Sequence, residues 1–169
     1  YLCEQGADKE ARNNDGGTPL HYTALKGHLR VVRYLCERGA DKEARDGDNE
    51  TPLLWAANKG HLSVVQYLCE QGADKEASNN IGWTLLHYTA IRDHLHVMQY
   101  LCEQGADKEA RDFADWTPLH NAADNGHLLV VQYLCEQGAD KEARDEDGYT
   151  PLRVASNKGY LSVMQYLGE

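Results

Sequence analysis

The chain has 169 residues, with 17 lysines and arginines against 27 aspartates and glutamates and a formal net charge of −10. That balance disfavours nucleic acid, whose binders carry a basic stripe to neutralise phosphates. No stretch approaches the ~20 consecutive apolar residues that a membrane-spanning helix needs, and the opening Tyr1-Leu2-Cys3 gives no signal peptide to read.

Residues 1–12 read as the tail of a helix and the loop that follows it. Four units of equal length come next, 13–45, 46–78, 79–111 and 112–144, and 145–169 is a fifth unit that stops after its second helix. Thr18, Thr51, Thr84, Thr117 and Thr150 keep one register and Cys3, Cys36, Cys69, Cys102 and Cys135 another, both 33 residues apart without an insertion. A fixed period of this size predicts a solenoid, in which each unit buries its apolar flank only against its neighbours. The last unit keeps Leu161, Val163, Met164 and Leu167 at the usual apolar places, so the chain reads as an excerpt of a longer array.

Within 112–144, Thr117-Pro118-Leu119-His120 predicts a helix start. Threonine is a good N-cap, and proline suits the first helical position, where its missing N–H is no loss. Leu119, Ala122 and Ala123 carry the helix about two turns to Gly126, which reaches the left-handed conformation without strain. After His127 the pattern Leu128, Val130, Val131, Leu134 and Cys135 predicts a second helix ending at Gly138. The polar, glycine-punctuated stretch after it predicts an extended loop closing in a turn. The unit 79–111 departs most, with Leu85 in place of proline and Asp93 in place of the glycine between helices. Asp93 at positive φ should cost on the order of 1 kcal/mol. Asn49 and Asp115 replace the turn glycine and tolerate its conformation, so all the turns should keep one shape.

The residues TPLHNAA, GHL, VV and GAD at these spacings resemble an ankyrin repeat, and the resemblance covers the whole chain. It implies an all-α stack of helix pairs with β-turn fingers on one side, and a function of binding other proteins. In that family an asparagine often stands where this chain has Glu10, Glu43, Glu76, Glu109 and Glu142. The resemblance therefore implies that asparagine hydroxylation is missing at these places.

Repeated cysteines and histidines invite a metal or disulfide reading. Packed helices lie ~8–10 Å apart and a disulfide needs Cα atoms within ~7 Å, so equivalent cysteines in adjacent units do not pair. They read as buried, reduced thiols, which fits an intracellular, cytoplasmic setting. His21, His87 and His120 follow the threonine motif and His28, His61, His94 and His127 precede second helices, so they read as hydrogen-bonding spacers; only His96 is off-pattern. No CxxC, HExxH, GxSxG or phosphate-loop spacing occurs. No catalytic residue, metal site or cofactor is expected, and the chain reads as a non-enzyme. The recurring Lys-Glu pair reads as a solvated ladder of charges.

Positions that the repeat leaves free are the candidates for function. The finger residue before the threonine runs Gly17, Glu50, Trp83, Trp116, Tyr149, and the residue after the helix-one histidine runs Tyr22, Trp55, Tyr88, Asn121, Val154. Large aromatics at solvent-facing places suit a binding surface. The candidate protein-binding residues are Trp55, Ile81, Trp83, Tyr88, Ile91, Phe113, Trp116, Asn121, Asp124 and Tyr149. The expected partner is a protein segment with apolar residues and a basic rim, captured on the face formed by fingers and first helices. Two alternatives stay open: a structural spacer in a larger scaffold, where the rings only brace the fingers, and an engineered or selected binder on this framework.

Overall fold

The computed structural model describes residues 8–169. The expected helix tail at 1–7 and Cys3 lie outside the described residues. Among the described residues ten helices form five pairs: α1 (Pro19–Leu25) with α2 (Leu29–Glu37), α3 (Pro52–Asn58) with α4 (Leu62–Glu70), α5 (Leu85–Ile91) with α6 (Leu95–Glu103), α7 (Pro118–Asp124) with α8 (Leu128–Glu136), and α9 (Pro151–Lys158) with α10 (Leu161–Leu167). First helices stack in sequence from α1 to α9, and second helices form a parallel row behind them. Ala24, Ala57, Ala90 and Ala123, all fully buried, let the first helices approach closely, while Leu20, Leu53, Leu86 and Leu119 fill the space between them and the second row. Each layer of core is thus shared by two units, and no unit buries its own flanks alone.

The helix starts use the threonine as read, with an addition. Thr18, Thr84 and Thr117 donate their backbone N–H to Nδ1 of His21, His87 and His120 at 3.1, 3.1 and 3.2 Å. The imidazole thereby takes the place of the Glu or Gln in a capping box. Because Nδ1 accepts, Nε2 carries the proton, and it donates across the repeat boundary to the carbonyls of Glu50, Trp116 and Tyr149 at 3.0, 3.0 and 3.1 Å. Burial depresses the pKa of all three rings and so favours this neutral form. Leu85 starts α5 at the same place as proline does elsewhere, and the cap survives.

The second set of histidines reaches back. His61, His94 and His127 donate from Nε2 to the carbonyls of Leu25, Asn58 and Ile91, each at the end of the preceding first helix. This contact explains the glycine between helices better than its φ alone. A Cβ at Gly60, which has φ 72°, would lie 2.7 Å from Nδ1 of His94. Asp93 holds φ 59° as expected, and its carboxylate sits 4.0 Å from Nδ1 of His127.

Two expectations are revised. The glutamates of the Lys-Glu pairs do more than line a solvated ladder: Glu10, Glu43, Glu76 and Glu109 each accept, through Oε1, the backbone N–H of Asp41, Asp74, Asp107 and Asp140 in the next loop, at 3.0 to 3.3 Å. They satisfy donors that a glycine-punctuated loop otherwise leaves to water. The thiols of Cys36, Cys69, Cys102 and Cys135 are free but half-buried rather than fully interior. Tyr100 of the following unit lies near Cys69, and Tyr133 near Cys102.

Candidate functional site

The fingers are built by one device. Asn13, Asp46, Asn79, Asp112 and Asp145 each turn Oδ1 onto the backbone N–H groups two and four residues on; Asp112 holds Ala114 and Trp116, both at 2.9 Å. Such Asx turns allow the left-handed residue that follows, and Gly16, Asn49, Gly82, Asp115 and Gly148 all take positive φ. The fingers keep one shape. They also join edge to edge, through Gly47 N–H to the Asp15 carbonyl, Asn80 to Asp48, Phe113 to Ile81 and Glu146 to Ala114, at 2.8 to 3.2 Å. Arg45 clamps the seam by donating to the carbonyls of Asn49 and Ser78, and Arg12 and Arg111 repeat the clamp in their units.

The remaining polar atom of each finger Asn or Asp decides where the aromatics go. In the first three fingers it pairs with the ring just below, on the first helix: Asn13 Nδ2 donates to Tyr22 Oη at 2.6 Å, Trp55 Nε1 to Asp46 Oδ2 at 2.8 Å, and Asn79 Nδ2 to Tyr88 Oη at 3.0 Å. Asn121 and Val154 stand at the equivalent place in the next two units. There the preceding finger supplies the donor instead: Trp83 Nε1 reaches Asp112 Oδ2 at 3.0 Å and Trp116 Nε1 reaches Asp145 Oδ2 at 3.1 Å. The two variable positions are therefore coupled, since a ring at one makes the indole at the other unnecessary.

This geometry divides the candidate residues. Trp55, Trp83 and Trp116 are half-buried and hydrogen-bonded, not solvent-facing as expected. Tyr88 is buried, with Trp83 edge-on at 5.4 Å, and its hydroxyl donates to Glu50 Oε1. Burial first and that carboxylate second raise the phenol's pKa. Ile91 is half-buried under the His127 contact, and Asp124 pairs with Lys158 Nζ at 3.1 Å. Asn121 is 4% exposed and its Oδ1 is buried without a partner. The apolar area open to solvent on this face comes from Phe113, 77% exposed, Ile81, 49%, and Tyr149, 41%, whose ring lies under the Arg153 guanidinium at 5.9 Å, with the hydrogen-bonded ring of Tyr22 exposed at the first finger.

Two features of this face were missed. Between the first fingers and their helices lies an open recess of ≈ 250 Å³ walled by Asp15, Asp46, Asp48, Glu50 and Trp55, and a second of ≈ 260 Å³ adjoins it at Ile81, Trp83 and Tyr88. Asp48 and Glu50 border both. Their signal in the sequence is the run of acids at the first two finger tips, Asp15, Asp46, Asp48 and Glu50. On the other side of the array Leu129 and Val31 are also exposed, at the starts of second helices.

Among the described residues no group of three or more His, Cys, Asp or Glu could hold a metal ion, and no helix is long and apolar enough to cross a membrane.

A row of helix pairs with hydrogen-bonded fingers on one edge defines a helical repeat solenoid. Its family follows from the match of ankyrin-repeat models to nearly the whole chain: a three-copy ankyrin model matches residues 41–112 and 110–169, and a second ankyrin model matches 2–54. The chain belongs to the ankyrin repeat family. Ankyrin repeats generally mediate protein–protein interaction and are typically non-enzymatic. The comparison with curated proteins gave no match.

Proposed function

We propose that this array binds a segment of another protein along the seam between its fingers and first helices, with Phe113, Ile81 and Tyr149 supplying apolar contact area. The observation that supports this reading is the exposure of these three side chains on a face whose other rings are held in place. Trp55, Trp83, Trp116 and Tyr88 are fixed by hydrogen bonds to fingers, so the seam is stiff, and a stiff surface loses little conformational freedom when it binds. Asn121, Ile91 and Asp124 belong to its floor and edge.

A spacer role is the second reading, favoured by one specific observation: the indoles of Trp83 and Trp116 already serve neighbouring fingers. It accounts for the tryptophans but not for Phe113, which has no such employment.

The test is a selection of random peptides of ~12 residues, enough at about 3.3 Å per residue to cross several units, on the immobilised chain. Peptides recovered on the wild type should bind an Ile81→Ser, Phe113→Ser double variant at least about tenfold more weakly, the loss expected of truncated interface centres, with an unchanged unfolding midpoint. Equal binding by the double variant would remove this seam as the site and leave the spacer reading.

A further inference from the structure

The charges and apolar side chains of the seam are sorted along its length. At the first two fingers it is acidic, with Asp15, Asp46, Asp48 and Glu50 around one recess. From the third finger on, Ile81 and Phe113 make it apolar. The acids differ in what they still have to offer. Asp46 has both carboxylate oxygens engaged, by the N–H groups of Asp48 and Glu50 and by Trp55 Nε1. Glu50 takes the Tyr88 hydroxyl and Asn79 Nδ2. Asp48 is exposed and its carboxylate has no partner among the described residues, while it borders both recesses. The arginines of these loops do not neutralise it, because Arg12 and Arg45 point Nη1 at backbone carbonyls.

The second feature of the seam is apolar and independent of these acids: Ile81 is 49% and Phe113 77% exposed on adjacent fingers, and Ile81 lines the recess that Asp48 borders.

We propose, resting on the reading above, that the partner is a cationic–apolar segment that docks in one direction only. A lysine or arginine enters the recess at Asp48 beside Trp55, and a large apolar side chain packs on Ile81 and Phe113. The recess of ≈ 250 Å³ far exceeds the roughly 30 Å³ share of one water, so it admits a side chain end. With units ~10 Å apart, Ile81 lies about one unit and Phe113 about two units beyond Asp48. An extended segment at about 3.3 Å per residue then places its apolar residue roughly three to six positions from the basic one. Reversing the segment sets the cation against Ile81 and Phe113 and leaves Asp48 facing an apolar side chain, which is how the surface would select direction.

The probe is the selected peptide pool, sequenced and then measured one peptide at a time on the folded chain. The expected result is a basic residue followed at that spacing by a large apolar one, always in the same chain direction. Asp48→Lys should weaken these peptides about tenfold or more while the unfolding midpoint stays put, and added salt should weaken them on the wild type and less so on the variant. Peptides that lose binding to the Ile81→Ser, Phe113→Ser variant yet ignore Asp48→Lys would overturn the directed, cationic docking and leave the seam as the site. Binding indifferent to both variants, or a pool with no binder, would overturn both.

Discussion

Trp116 and Asp145 sit 29 residues apart and are joined by a 3.1 Å hydrogen bond from the indole N–H to a carboxylate that is 8% exposed. The same carboxylate organises its own finger through Oδ1, holding the N–H groups of Asp147 and Tyr149. One residue therefore shapes a finger and receives a brace from the finger before it. Trp116→Phe keeps most of the ring and deletes the donor, and should destabilise the array by about 1–3 kcal/mol, the range for leaving a buried acceptor unsatisfied. Trp83→Phe should cost less, because Asp112 is only half-buried. Urea unfolding of the two variants checks the order; equal stabilities with the wild type would mean that the indoles are not braces.

The buried imidazoles make stability depend on pH. His21, His87, His94 and His120 all have pKa values lowered, with burial the largest cause in each. A depressed pKa means that the unfolded chain binds more protons than the folded one below the ordinary value of 6.5. Their contribution is present above pH 6.5 and is lost as pH falls from there towards the folded values. Denaturant midpoints measured downward from neutral pH should decline in that window. His120→Leu should flatten the decline, since Leu54 already occupies the equivalent place in α3. A midpoint that holds steady through the window would contradict the neutral, Nε2-protonated capping role.

The turn between helices gives paired substitutions of opposite sign. Gly60→Ala places a Cβ 2.7 Å from the His94 ring at φ 72°, and should destabilise by more than the ~1 kcal/mol that positive φ alone costs an L residue. Asp93→Gly removes that strain in the next unit and should stabilise by about 1 kcal/mol. Thermal unfolding of both variants decides it, and a neutral Gly60→Ala would mean that the imidazole contact exerts no constraint.

The thiols should react slowly for an electrostatic reason as well as a steric one. Burial raises the Cys69 thiol from 9.0 to about 11, and Cys36, Cys102 and Cys135 rise in the same direction. Two pH units lower the thiolate fraction of Cys69 roughly a hundredfold. Alkylation of the native protein should therefore be slow at Cys69 and accelerate on unfolding, and fast native labelling of that residue would refute it.

The periodic positions were legible in the sequence because each carries a local requirement. Threonine and proline start helices, glycine closes them, and Asn49, Asp93 and Asp115 hold positive φ as the residues best suited after glycine. What escaped the reading were bonds made to another unit. Glu43 to Asp74 and His120 to Tyr149 join residues about one repeat apart, so no single unit reveals them. The candidate face suffered most from this. Trp83 and Trp116 vary among units and so stood out as free for binding, yet their indoles answer to changes at Asn121 and Val154 one unit away. Phe113 and Ile81 vary without any such partner and are exposed as expected, and what set them apart from the tryptophans was visible only once the fingers were placed.

Amide hydrogen exchange with and without a selected peptide tests the central claim most directly. Binding in the seam should slow exchange in the fingers at 46–50, 79–83 and 112–116 and in the first helices α3, α5 and α7, leaving the second helices α4, α6 and α8 unchanged. Slowing confined to the second helices, around exposed Leu129, would contradict it.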